Sequence, residues 1–271
     1  MRRIPRAAVL TSGAVVVVLA LAAVAPGWFT AASPIDPAPV DALLPPGAGH
    51  WFGTDELGRD VFARVVHGAR SSLSVGLGAI LIAVTVGALL GITAALGGTA
   101  TDTALMRLAD VLLSLPELML ALLVITVLGA GPGNTMIAIA VALVPGYARM
   151  VRAEALVVRR SGYVEAAVGL GLPRAVLIAR HVLPNALGPL LVLATIGFGT
   201  AIIAVSGLSF LGLGARPPEP EWGSMLSSGR KLLAVAWWTA VFPGAAITVA
   251  VVSVNVVGRR LQAAFTRRTS G

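Results

Sequence analysis

Six apolar runs, each of about membrane-spanning length, constrain this 271-residue chain more than any other feature. A transmembrane helix needs about 20 consecutive apolar residues. The runs lie near 7–29, 74–97, 106–129, 134–150, 187–213 and 236–258. Only 12% of the residues are charged and the mean hydropathy is +0.90, against roughly 25% charged in soluble domains. Lipid is therefore the expected main solvent, and the expected fold is an all-α integral membrane protein of six transmembrane helices.

The first run follows Arg2, Arg3 and Arg6, the flank of a signal peptide, and Ala23-Val24-Ala25 resembles a cleavage site. Its length of about 20 residues exceeds the roughly 7–15 of a signal-peptide core, which favours a retained helix over 1–29. Residues 30–73 read as an external loop. Its first part is rich in Pro, Ala and Gly, and its second, Asp60 to Arg70, is spaced as an amphipathic helix lying at the membrane surface. Residues 74–258 form a five-helix core, interrupted by a polar stretch over 151–186. Residues 259–271 form a basic tail.

Charge sets the orientation. The net charge of +8 is almost wholly arginine, with the single lysine Lys231. With six crossings and a cytoplasmic N-terminus, 14 of the 20 basic residues face inward. These are Arg2, Arg3, Arg6, Arg107, Arg149, Arg152, Arg159, Arg160, Arg174, Arg180, Arg259, Arg260, Arg267 and Arg268. The acids Asp36, Asp41, Asp55, Glu56, Asp60, Glu219 and Glu221 fall outside. The positive-inside rule selects this orientation, with both termini cytoplasmic. Gly87 and Gly91, four apart, suit close helix packing, within one bundle rather than at a dedicated dimer face.

Several chemistries are excluded. There is no cysteine, hence no disulfide or thiolate site. Lys231 follows Arg230 rather than glycine, so a standard P-loop is absent. No nucleophile elbow and no zinc-protease signature occurs. His50, His67 and His181 are far apart, and solvated histidines are expected rather than a metal site. The chain is not expected to be an enzyme by itself, to bind a cofactor or to bind nucleic acid.

The cytoplasmic stretch Tyr163 to Asn185 is the most informative. Tyr163 to Leu170 reads as a short helix, stopped by Gly171. Pro173 suits the first turn of a second helix from Arg174 toward Val182, and Pro184 breaks it before the membrane. Such a helix–turn–helix is either a docking element for a partner or an ordinary hairpin.

Glu165-Ala166-Ala167, Gly171 and Val182-Leu183-Pro184 resemble the EAA loop of bacterial binding-protein-dependent ABC importers. Further segments are similar to the C-type permeases of the dipeptide/oligopeptide/nickel group. They include Gly53 to Asp60, Gly68 to Leu73, Pro145 to Arg149, Leu208 to Gly214, Pro217-Pro218, Glu221-Trp222-Gly223 and Trp237-Trp238. The resemblance covers about residues 50–258.

It implies a permease subunit in the bacterial plasma (inner) membrane, forming half of a translocation path for short peptides. It also implies a coupling helix, with Glu165, Ala166, Ala167, Gly171, Leu172, Pro173, Arg174, Leu183 and Pro184 facing an ATPase subunit. The implied partners are a second, B-type permease, two ABC ATPase domains that bind the ATP and Mg, an external solute-binding protein and membrane lipid. Nickel or another small solute is the alternative cargo. A self-sufficient secondary transporter or channel is the alternative class.

Two positions depart from the resemblance. Val205 stands before Ser206, where many relatives carry glutamate. Glu117 follows Leu115-Pro116, where a small or apolar residue is expected. A central intramembrane acid costs roughly 2.5–3.5 kcal/mol and is a functional candidate by default. Asp110, Glu117 and Ser206 are therefore candidates for the translocation path. Asp110 and Glu117, seven apart, would share a face of one helix. The alternative is that both acids sit near the cytoplasmic helix end, wet or paired with Arg107 or Arg149.

Overall fold

The computed structural model describes residues 5–162, 176 and 183–269. Its elements are helical: α1 (Arg6–Val24), α2 (Val61–Leu96), α3 (Thr99–Leu113), α4 (Glu117–Leu128), α5 (Pro132–Arg159), α6 (Leu183–Phe210), α7 (Trp222–Arg230) and α8 (Trp238–Thr269). Short 3-10 turns at Pro26–Trp28 and Pro39–Asp41 punctuate the first loop. Among the described residues there is no strand, only an isolated bridge between Thr54 and Asp60. Five helices are long and apolar enough to cross a membrane, and α3 with α4 makes a sixth, broken crossing.

Two expectations from the sequence are corrected. The segment from Asp60 to Arg70 is not a separate surface helix. It forms the first turns of α2, which runs unbroken for 36 residues. The Asp60 side chain caps its start, accepting from the Ala63 N–H at 2.7 Å. A surface helix would leave Arg64 wet. Here Arg64 is buried, because the N-terminal end of α2 is enclosed by protein.

The third apolar run is not one helix. It breaks at Ser114–Pro116, and its halves meet at 95°. Proline disfavours helical backbone at the residue before it, and here α3 ends and α4 starts afresh with Pro116 as its cap. Asp110 and Glu117 therefore share no helix face. The fifth run, in contrast, is one helix. α6 is continuous from Leu183 to Phe210. Gly197 admits the Tyr147 phenol, and Gly199 admits Asn255. The stretch read as a tail continues α8 as helix to Thr269.

Small residues let these helices approach closely, which is how bundles pack when lipid removes the hydrophobic drive between them. One core joins α2, α4, α5 and α6 through Val75, Ala79, Leu120, Ile125, Ile139, Ala201 and Val205. A second joins α1, α2, α6, α7 and α8 through Ala22, Ala69, Ile202, Trp222 and Ala250. α2 lies centrally, packed on α5, α6 and α1. Pro145 sits within α5 without ending it. α1 contributes only Ser12 and Ala22 as buried residues, docked on α8 and α2.

Candidate transport machinery

Three regions carry chemistry that packing alone does not require. The first is a clasp over the end of the bundle where α2 starts. Asp55 is its hub. Its Oδ1 accepts from the backbone N–H groups of Leu57 and Arg59, at 2.9 and 3.0 Å. Its Oδ2 accepts from Arg59 Nε and Nη2, both at 2.7 Å, and lies 3.5 Å from Arg64 Nε. Arg64 Nη1 donates onward to the carbonyls of Pro34 and Pro218, at 2.6 and 3.3 Å. One carboxylate thus holds two buried guanidinium groups, and through them two distant loops.

The loops need unusual backbone to close. Gly53 and Gly58 have φ of +71° and +75°, values that favour glycine. A Cβ on Gly53 would lie 2.6 Å from the Leu44 carbonyl oxygen. Trp238 Nε1 donates to the Thr54 carbonyl at 3.0 Å, tying the start of α8 to the same turn. His50 lies 2.8 Å from Asp60, and His67 Nδ1 lies 2.9 Å from the Ala63 carbonyl. A cavity of about 140 Å³ remains inside the clasp, lined by Asp55, Arg59, Arg64, Glu219, Ser224 and Thr239 among others.

The second half of the clasp is α7, positioned by Glu221. This glutamate is 1% exposed. It accepts from the N–H groups of Gly223 and Ser224, at 3.0 and 2.8 Å, capping α7. It also accepts from Ser72 Oγ at 3.0 Å, and Ser72 Oγ in turn accepts from the Trp222 N–H at 3.1 Å. Trp222 Nε1 reaches the Val65 carbonyl at 2.8 Å. Sequence reasoning marked Glu221 only as part of a motif and missed its role. The usable signal was a carboxylate directly before a short polar helix.

The second region is the helix break. Asp102 forms an ion pair with Arg152, and Asp110 with Arg149, so α3 is tied to the C-terminal half of α5. Glu117 opens α4 just past the break, is exposed, and makes no hydrogen bond or ion pair with a described residue. It lies within electrostatic reach of the Tyr147 phenol. Ser206 is elsewhere. It is buried, with its Cα 2.8 Å from where a Gly223 Cβ would stand, beneath α7. Its hydroxyl finds no partner among the described residues. Val205 is 1% exposed within the first core, an apolar setting that suits valine and not an unpaired glutamate. The three path candidates are thus not brought together: Asp110 is paired, Glu117 is open, and Ser206 lies under the clasp.

The third region is the stretch that the sequence suggests as a docking element. Glu165, Ala166, Ala167, Gly171, Leu172, Pro173 and Arg174 lie outside the described residues. Leu183 and Pro184 form the first turn of α6, where proline is tolerated because its missing N–H would be unpaired in any case. In sequence the stretch joins the C-terminal end of α5 to the start of α6.

Residues 87–271 match the family described as "Binding-protein-dependent transport system inner membrane component". The chain belongs to this family. The match begins within α2 and takes in every later element. Among relatives, the chain is 42% identical over 237 residues to the dipeptide transport system permease protein DppC of Alkalihalophilus pseudofirmus, covering 88% of this chain and 78% of the relative. It is 42% identical over 252 residues to the probable D,D-dipeptide transport system permease protein DdpC of Escherichia coli, covering 92% and 84%. A glutathione transport system permease protein, GsiD of Escherichia coli, is 39% identical over 83% of this chain and 75% of its own length.

Similarity in fold extends further. An inward-facing MetNI methionine ABC transporter matches with a TM-score of 0.61 at 18% identity, over 74% of this chain and 96% of that one. The fold is thus that of ABC transporter permeases. The multi-pass inner-membrane placement agrees with the family and with the apolar helices.

Proposed function

We propose that this chain is the C-type permease of an ATP-driven importer, and that it forms half of a path for short peptides. The observation that carries this reading is the breadth of identity with dipeptide-type permeases, about nine-tenths of the chain in two cases. The named cargoes of the relatives share amide-linked amino acids with charged termini.

In this reading the 151–186 side faces the cytoplasm, as the inward excess of arginine favours. The stretch with Glu165, Ala166, Ala167 and Gly171 docks on an ATPase subunit. Two such ATPase domains bind the ATP and Mg, a second permease completes the path, and an external binding protein delivers cargo. Closure of the ATPases would draw α5 and α6 of this chain toward those of its partner. A bundle that packs in two arrangements is then shifted by differential partner binding.

Purification in mild detergent from the native host tests the assembly, and proteoliposomes test the transport. The expected result is co-purification with a second permease and ATPase chains, and uptake of labelled dialanine that needs ATP and the binding protein. A chain that purifies alone and transports without ATP would instead make it a secondary transporter or channel.

A further inference from the structure

Glu117 combines three features that do not suit a residue facing lipid. It is an exposed carboxylate with no hydrogen bond or ion pair to a described residue, whereas the neighbouring acids Asp102 and Asp110 both have arginine partners. It sits directly beside an unwound segment, Ser114–Pro116, that is exposed as well. No described donor reaches the Ser114 and Leu115 carbonyls. Irregular backbone at membrane depth is tolerated only where protein buries it or water reaches it.

The depth follows from packing. Glu117 neighbours Tyr147 electrostatically, and Tyr147 packs against Gly87 of α2. Gly87 stands 13 residues beyond Ser74, about 20 Å along a helix, which is the inner half of the 74–97 apolar run. Apart from Glu117 and Thr126, whose hydroxyl is bonded to the Leu122 carbonyl, the exposed face of α4 is apolar, with Met119, Leu123 and Val127 open. An acid inside a membrane domain faces a partner or a water-filled route rather than lipid.

We infer that Glu117 and the adjoining helix break line the translocation seam, and that the Glu117 carboxylate pairs with the ammonium group of the passing cargo. The cargo class is small solutes with a free amino group, and this rests on the peptide-importer reading. A carboxylate without an arginine partner among the described residues can exchange one cation for the next. Glu117 is a binding residue for cargo in transit, and initial selection stays with the external binding protein.

The chain has no cysteine, so Glu117→Cys places one thiol in it. The complete transporter in proteoliposomes is treated with a membrane-impermeant, charged thiol reagent, and modification of this chain is read by intact mass. The expected result is modification that slows severalfold when dialanine-loaded binding protein and ATP are present. Glu117→Gln is expected to lower the maximum rate of dialanine uptake about tenfold, in line with loss of one charge-assisted hydrogen bond. The binding-protein concentration at half-maximum should not move, and Glu117→Asp should restore most of the rate. A thiol that does not react, one that cargo does not protect, or a Glu117→Gln transporter with the wild-type maximum rate overturns the inference. Wild-type liposomes without ATP-driven dialanine uptake would overturn the importer reading itself, a separate result because it involves no variant.

Discussion

Asp55 is the residue on which the clasp depends most. Among the described residues it is the one carboxylate paired with the buried Arg59 and Arg64, and it also fixes the turn through Leu57 and Arg59. Removing one partner of a buried ion cluster costs about 3–5 kcal/mol, because the remaining charge stays desolvated. Asp55→Ala is therefore expected to destabilise the clasp by about that amount. Thermal unfolding of the purified transporter in detergent should show a clearly lower midpoint, and Asp55→Asn should fall between, since it can still accept the backbone bonds. An unchanged midpoint for Asp55→Ala would mean that the arginines find other partners. The sequence displayed Asp55 as one acid in a polar external stretch. Its hub role was not legible there, because its meaning comes from Pro34 and Pro218, which are 21 and 163 positions away.

Among the elements, α2 and α5 share the most extensive contact, and glycine allows their close approach. A Cβ on Gly91 would lie 2.5 Å from the Ala148 carbonyl oxygen and 2.8 Å from Val151 Cβ. Gly146, on the far side of α5, has nothing within 4 Å. Gly91→Ala is expected to force the two helices apart at a cost of about 1–3 kcal/mol. Gly146→Ala should be neutral or slightly stabilising, because alanine favours helix by about 1 kcal/mol over glycine. Paired thermal-stability curves of the two variants check the contrast, and equal effects would remove Gly91 from the interface. The spacing of Gly87 and Gly91 already suggested packing, and the structure supplies the partner helix. The six crossings were readable because hydropathy is a local property. The break at Pro116 escaped because Leu115 and Leu118 keep the run apolar on both sides of it. The union of the 60–70 segment with α2 escaped for a different reason. Arg64 and Ser72 look like surface residues until α7 and the Pro217–Glu221 segment cover them.

Across the whole molecule, the stretch between Arg159 and Leu183 joins two helices with different neighbours. α5 is packed along α2 and α4, whereas α6 is packed on α8, α2 and α7. A push on the stretch between Arg159 and Leu183 thus reaches both cores at once. It also reaches the clasp, because Ser206 and Ser209 of α6 crowd Gly223 of α7. If that stretch is the coupling element, changing its surface should disconnect ATP use from transport without unfolding the bundle. Glu165→Lys and Gly171→Asp are expected to reduce ATP-dependent dialanine uptake to background while the chain stays inserted. Gel-filtration profile, membrane yield and ATPase co-purification are read alongside uptake. Loss of uptake with the chain inserted and the ATPases weakly held would place the defect at docking. Retained uptake in both variants would exclude this stretch as the coupling element, since a reversed charge and a bulky acid at a turn glycine would each disturb a tight protein groove. The residues that make this prediction were legible from their order in the chain alone. What the fold adds is the reason two small changes in one short stretch should be felt at the opposite end of the molecule.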